Sequence, residues 1–326
     1  MHTLSMIDLF SGIGGIRLAF EKAGVICKAS SEIDKAARET YEMNFHDIPL
    51  GDITKIDGKT LPEFDILAGG FPCQPFSLAG KRLGFTDTRG TLFFEVARLL
   101  KECTPKAFFL ENVQGLVNHD HGNTLKVIEN TLTELGYDFK WKVMNAKDYG
   151  IPQNRSRWYC VGFRKNLNIT FDNGLNDDRN FNFPDKCNLL YTITDVIEDD
   201  NHPDYKVSEI ALKNIDSNAK LKEDRLQNVE YPILVNEIRP SRCNFRFDGI
   251  SPCLTAKMGT GGNNIPVIMD LRRKLTEKEC LHIMSFPKEF KIKQNCMASY
   301  KQIGNSVVVE VVYQIAKEMV RVLSSL

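Results

Sequence analysis

No Cys-x-x-Cys pair occurs among the nine cysteines, and the six histidines are scattered along the chain. That excludes the usual ligand spacing of a structural zinc site, so no metal is expected. An odd set of unpaired thiols also argues against a disulfide-stapled secreted domain and predicts a reducing, cytoplasmic setting. No run of about 18 apolar residues is present, so no membrane partner is expected. The start, Met1-His2-Thr3-Leu4-Ser5-Met6, lacks the basic segment and apolar stretch of a secretory signal. Charge of one sign is not in excess: Lys plus Arg and Asp plus Glu each number 42. Any surface for nucleic-acid phosphates must therefore be local. Internal repeats and low-complexity tracts are missing too. What is there is 326 residues, 42% of them hydrophobic, enough for one large core or two smaller ones.

The first half alternates apolar runs with amphipathic stretches. The pattern predicts strands over 4–9, 25–31, 64–68, 106–110, 137–144 and 158–163, with a further one ending near Ile48-Pro49-Leu50. Helices are predicted over 16–23, 35–44, 92–102 and 124–135. Such repeated units imply an α/β fold with a mostly parallel sheet covered on both faces. Beyond residue 170 the composition shifts. Residues 171–188 are rich in Asn and Asp and read as a linker, and the stretch to about 269 reads as a smaller, irregular, strand-rich and mostly non-helical domain. Helices are expected again over 275–284, with Thr276 as cap, and over 306–323.

Cys73 stands out. It follows an apolar strand in Gly69-Gly70-Phe71-Pro72-Cys73-Gln74, at the mouth of a glycine- and proline-rich loop. A packing cysteine is more often inside an apolar run, whereas this position suits a nucleophile at a sheet edge. Asp8-Leu9-Phe10-Ser11-Gly12-Ile13-Gly14-Gly15 is a glycine turn between a strand and a helix. It could admit a ligand to the helix's amino end, or be only a turn, and it is not a complete G-x-G-x-x-G signature. Glu32 and Asp52 follow the next strand ends, as ligand groups or as a helix-start acid and a turn residue. Glu111 follows Phe108-Phe109-Leu110, where a carboxylate is partly desolvated; a cap or surface acid is the alternative. Arg155 and Arg157, two apart before a strand, should face the same way and could read a base or a phosphate, or be solvated charges.

Five segments occur in order: Phe10-Ser11-Gly12-Ile13-Gly14-Gly15, Phe71-Pro72-Cys73-Gln74, Glu111-Asn112-Val113, Gln153-Asn154-Arg155-Ser156-Arg157 and Gln302-Ile303-Gly304-Asn305-Ser306-Val307. Together they resemble the DNA (cytosine-5) methyltransferases of bacterial restriction–modification systems, over nearly the whole chain. The resemblance implies a Rossmann-like S-adenosylmethionine-dependent fold, residues 1–170 completed by 270–326 forming the catalytic domain and 171–269 the target recognition domain. It implies that Cys73 adds to carbon-6 of a flipped cytosine, with Glu111 on the ring nitrogen N3 and the exocyclic amine, Arg157 on the carbonyl oxygen and Arg155 orienting Cys73. For S-adenosylmethionine (product S-adenosylhomocysteine) it implies Phe10 at the adenine, the turn at Gly12 and Gly14 at the methionine end, Glu32 on the ribose and Asp52 on the adenine amine, with Ser11 and Gly15 also binding the cofactor. Ile33, Ile53, Pro72 and Leu92 would form walls, joined by Asn305, Ser306 and Val307 from the far end of the chain.

The expected partner is double-stranded DNA, bound by a monomer, with a cognate restriction endonuclease encoded nearby. Ser77, Lys81, Arg82 and Arg89 lie on the loop that in this family closes over DNA. Arg239, Arg242, Arg246 and Lys257, beside Phe245 and Phe247, form the densest basic group of 171–269 and are its candidate DNA contacts. Ser251-Pro252-Cys253-Leu254-Thr255-Ala256 resembles the segment that organises this domain, with Cys253 structural. A tRNA cytosine methyltransferase is the nearest alternative, and the length of 171–269 speaks for DNA. A silent nucleic-acid binder is opposed by the intact Cys73, Glu111 and Arg157, and a Rossmann oxidoreductase by the incomplete glycine signature.

Overall fold

A computed structural model describes residues 3–72, 92–171, 178–198, 203–226, 229–260 and 264–326. In chain order its strands are β1 (Ser5–Leu9), β2 (Ile26–Ser31), β3 (Ile66–Gly70), β4 (Ala107–Val113), β5 (Tyr137–Asn145), β6 (Ser156–Arg164), β7 (Thr170–Phe171), β8 (Asn180–Phe181), β9 (Leu234–Asn236), β10 (Asn244–Arg246), β11 (Val267–Ile268) and β12 (Arg273–Lys274). Its α-helices are α1 (Gly15–Lys22), α2 (Lys35–Phe45), α3 (Leu92–Cys103), α4 (Asn123–Glu134), α5 (Glu209–Lys220), α6 (Glu223–Leu226), α7 (Glu277–Ile283), α8 (Met297–Asn305) and α9 (Val309–Ser324).

The chain divides into two compact units. Met1–Met144, Ser156–Pro184 and Val311–Leu326 form the first, Asn145–Arg155 and Asp185–Glu310 the second. The sequence boundaries had grouped 145–155 and all of 270–326 with the catalytic domain. The physical reason for the difference at 145–155 is hydrogen bonding: the Ser251 amide donates to Pro152 O, the Asn154 amide donates to Ser251 O, and the Leu254 amide donates to Gln153 Oε1.

In the first unit six strands form one sheet in the order β2-β1-β3-β4-β6-β5. The pairs β1/β2, β1/β3 and β3/β4 are parallel, and β4/β6 is antiparallel. Strands buried on both faces read as continuous apolar runs, which is why 106–110 and 158–163 were visible in the sequence. On one face Phe93, Val96, Leu99 and Leu100 of α3 and Leu125, Ile128 and Leu132 of α4 pack on Ile7, Leu9, Leu67, Phe108, Leu110 and Trp158. Burying each such side chain stabilises by about 1.5–3 kcal/mol. Phe20 of α1 meets Phe109 edge-on at 5.5 Å between ring centroids. The α9 stripe Val312, Ile315, Ala316, Met319 and Val322 is fully buried, as its three-to-four-residue spacing requires.

Several expectations are corrected. The strand expected at 48–50 is a single parallel bridge, Ser31 to Leu50, because Pro49 interrupts the run. β4 continues to Val113 by pairing with Arg157 of β6, so Glu111 lies within the strand instead of after it. The stretch 171–188 is not merely a linker: β7 and β8 pair, and Phe163, Phe171, Phe181 and Phe183 form an aromatic cluster. The second unit holds an antiparallel sheet β10-β9-β11-β12 over a core of Val207, Ile215, Ile233, Val235, Phe245 and Val267. It also holds the 12-residue helix α5, capped by Ser208, where little helix was expected. The α5 stripe is broken, with Ile210 76% exposed and Asn218 buried, which hid its period.

Candidate active site

Register brings the candidate residues of the first unit to one sheet edge. Leu9 pairs with Ser31 on one side and Gly69 on the other, and Gly70 pairs with Glu111. With neighbouring strands about 4.8 Å apart, the ends of β1, β2, β3 and the late residues of β4 form one row. In open parallel sheets this carboxyl edge is where ligands bind.

The turn after β1 is held in strained backbone. Phe10 has φ 53°, Gly12 54° and Gly14 89°. A left-handed Phe is costly by about 1–2 kcal/mol, and such strain gathers at functional sites. The Ser11 amide donates to Ser31 O and the Gly14 amide to Ser11 O, closing the turn. Gly14 is the N-cap of α1 and supplies no side-chain cap, and the positive end of a helix favours negative charge. Gly15 is buried as the first residue of α1. Glu32 braces this turn: Oε2 accepts from the Gly12 amide at 2.9 Å and Oε1 from the Asp34 amide at 2.7 Å. A carboxylate has about four acceptor positions, so hydroxyls can still bind it.

Ile33, beside Glu32, is 72% exposed, an apolar side chain offered at the edge. Asp52 caps a short 3-10 turn (Ile53–Lys55); hydrogen bonds from the Thr54 hydroxyl and amide hold its carboxyl below the usual range. Ile53 is buried in the core, and Phe10 and Leu92 pack against the same cluster. Phe71 is buried and Pro72 exposed. Asn112, to which sequence reasoning gave no role, donates from Nδ2 to Phe71 O at 2.8 Å and anchors the chain just before Cys73. Its only sequence signal was its place in Glu111-Asn112-Val113. Glu111 is 9% exposed, and Arg157 Nε lies 3.2 Å from its Oε1. Cys73 itself, with Ser77, Lys81, Arg82 and Arg89, lies outside the described residues.

Next to the turn lies a cluster of titratable side chains to which sequence reading gave no role. Asp8 is fully buried, and burial pushes its carboxyl up to about 8 against the pull of the Arg17 charge and main-chain amide, with Glu32 and Glu21 adding to the rise. Burial likewise pushes the Cys27 thiol up to about 12, the charge of Asp8 adding to it. Arg17 donates to Tyr41 Oη and to Asp47.

The remaining candidates belong to the second unit. The same-face expectation assumed strand backbone at both arginines, and Arg155 lies just outside β6. It is 3% exposed and donates to the carbonyl oxygens of Leu254, Gly304 and Ser306. Asn305 ends α8, Ser306 is its C-cap, and Val307 is buried. Among the basic candidates, Arg242 pairs with Glu237 and Arg246 with Asp248 and Ile250 O, while Arg239 and Lys257 are exposed. Phe245 is in the core, and Phe247 is exposed.

Comparison with known proteins gives a consistent pattern. The family model described as C-5 cytosine-specific DNA methylase matches residues 4–321. The Type II methyltransferase M.HhaI of Haemophilus parahaemolyticus is 42% identical over 321 residues, covering 96% of this chain and 93% of that protein. M.HpaII of Haemophilus parainfluenzae is 39% identical over 346 residues, covering 99% and 90%. A crystal structure of Spodoptera frugiperda DNMT2 matches with TM-score 0.71 at 22% identity, over 97% of this chain and 99% of that one. A putative DNA modification methyltransferase encoded within an E. coli prophage matches with TM-score 0.72 at 24% identity, over 98% and 99%. At those identities the two structures speak for the fold alone.

Proposed function

The chain belongs to the C-5 cytosine-specific DNA methylase family, and from that premise we propose that it methylates carbon-5 of a cytosine flipped out of duplex DNA, through a covalent Cys73 adduct. The observation that carries this reading is the shared edge of β1, β3 and β4. It sets the glycine turn, the approach to Cys73 and the Glu111–Arg157 pair in one row.

The residues present fit S-adenosylmethionine. Gly12 has no heavy atom within 4 Å of where a Cβ would stand, Glu32 keeps acceptor capacity, Ile33 is exposed and Asp52 is a half-buried acceptor. Phe10, Ser11, Gly12, Gly14, Gly15, Glu32, Ile33, Asp52, Ile53, Pro72 and Leu92 would hold it, with Asn305, Ser306 and Val307 assigned by the family likeness. When bound, it supplies an electrophilic sulfonium methyl group. The chain's own residues must make a cytosine carbon nucleophilic. Adding the Cys73 thiolate to carbon-6 forms a carbon–sulfur bond and moves an electron pair toward carbon-5. Glu111 bonds N3 and the exocyclic amine, and Arg157 holds the carbonyl oxygen, so charge that builds on addition meets fixed partners. Once the carbon-5 proton is removed, the double bond reforms and the thiolate leaves. A carbon inside the stack cannot be reached, hence the flipped base.

Residues 171–269 we assign to target recognition, in a cytoplasmic monomer that protects host DNA against a cognate endonuclease. The test is transfer of labelled methyl from S-adenosylmethionine to duplex DNA and to tRNA by wild type and Cys73→Ser. Transfer to DNA alone, lost in the variant, supports the reading; transfer to tRNA alone, or turnover by Cys73→Ser, contradicts it.

A further inference from the structure

Arg155 joins three chain segments that are far apart in sequence. Its Nη1 donates to Leu254 O at 2.5 Å, and its Nη2 donates to Gly304 O at 3.1 Å and Ser306 O at 2.5 Å. The last two are carbonyls of the final turn of α8 and its cap, which carry no intrahelical partner and hold the helix's partial negative charge. A planar, permanently charged fork is suited to gathering several carbonyl oxygens at once.

A second feature fixes the same place. A Cβ on Gly304 would overlap the carbonyl of Thr255 and the amide nitrogen of Ala256, so the end of α8 lies directly on the backbone of 255–256. Gln153, fully buried two residues before Arg155, accepts from the Leu254 amide and donates toward Ile283 O. Arg155 is itself held, its amide donating to Asn145 Oδ1 and its carbonyl accepting from the Ala146 amide.

The geometry points to Arg155 as a positioning residue that sets the affinity for S-adenosylmethionine by fixing the Gly304–Val307 turn. This rests on the proposed function, which assigns Asn305, Ser306 and Val307 to the cofactor. Arg155 acts through main-chain carbonyls and takes no part in the chemistry at Cys73.

The experiment compares wild type, Arg155→Lys and Gly304→Ala. Lysine keeps the charge and loses the fork; alanine displaces 255–256 from α8 by a separate route. Three quantities are read: ligand-free hydrogen exchange at the amides of 303–307, the Kd of S-adenosylhomocysteine, and kcat and KM with duplex DNA. Expected in both variants are faster exchange at 303–307, about tenfold weaker S-adenosylhomocysteine binding with a matching rise in KM, and kcat within about threefold of wild type. Should Arg155→Lys fail to fold, Gly304→Ala decides on the same readouts. A fall in kcat with Kd, KM and exchange unchanged overturns the proposal and returns Arg155 to the chemical step. Wild type that binds no S-adenosylhomocysteine sinks instead the reading of function on which it rests.

Discussion

Replacing Asp8 by asparagine should alter how stability depends on pH more than it alters stability itself. The Asp8 carboxyl is fully buried in β1 and feels the charges of Arg17 and Glu21 of α1 and of Glu32, and in turn raises the pKa of Cys27 of β2 and Tyr41 of α2. Its folded pKa is pushed up to about 8, whereas an unfolded aspartate titrates at about 4. A raised carboxyl pKa means that the folded state binds the extra proton between those values. Stability therefore falls as pH rises from 4 to 8, by up to about 1.4 kcal/mol per unit, and the loss stops above 8. An asparagine side chain carries no such proton. The stability difference between Asp8→Asn and wild type should grow in the variant's favour by about 3 kcal/mol from pH 5.5 to 8. Urea unfolding followed by tryptophan fluorescence isolates the right unit, because both tryptophans, Trp141 and Trp158, lie in β5 and β6. A difference constant within about 1 kcal/mol across that range would refute a neutral, buried Asp8.

Gly14→Ala must hold an alanine at φ 89° with its Cβ against the Phe45 ring; a loss of about 1–3 kcal/mol is expected in the same urea assay, with weaker S-adenosylhomocysteine binding by calorimetry. Unchanged stability would show that the turn tolerates a side chain. Glu111→Gln should cut kcat at least about 100-fold while leaving S-adenosylhomocysteine affinity unaltered, as measured by steady-state methyl transfer and calorimetry. Asn112→Ala removes the hydrogen bond to Phe71 O and should lower kcat about tenfold through a loosened approach to Cys73; full activity would remove that anchoring role.

Much of the first unit was legible because its central strands β1, β3, β4 and β6 are largely buried and read as mostly apolar runs. Phe108-Phe109-Leu110 is the clearest case, though the run stops three residues before the strand does. The last residues of β4 are held by pairing with β6, and pairing leaves no hydrophobic signature. The order of site motifs was legible, and the row they form follows from register. What escaped was polar burial. Arg273 and Glu279 form an ion pair at 2.7 Å, both nearly free of solvent, and Glu277 is buried against Tyr205 Oη. In the sequence they look like ordinary charges on either side of the Thr276 cap. Arg155 failed for the same reason: its carbonyl partners Leu254, Gly304 and Ser306 are 99 or more residues away, and nothing local announces them.

The measurement that bears most directly on the covalent mechanism is incubation of the enzyme and S-adenosylmethionine with duplex DNA containing 5-fluorocytosine, analysed on a denaturing gel and by peptide mass mapping. Fluorine cannot leave carbon-5 as a proton does, so the enzyme should remain attached to the DNA through Cys73. Bound DNA that carries no covalent enzyme, or attachment through a residue other than Cys73, would contradict the account.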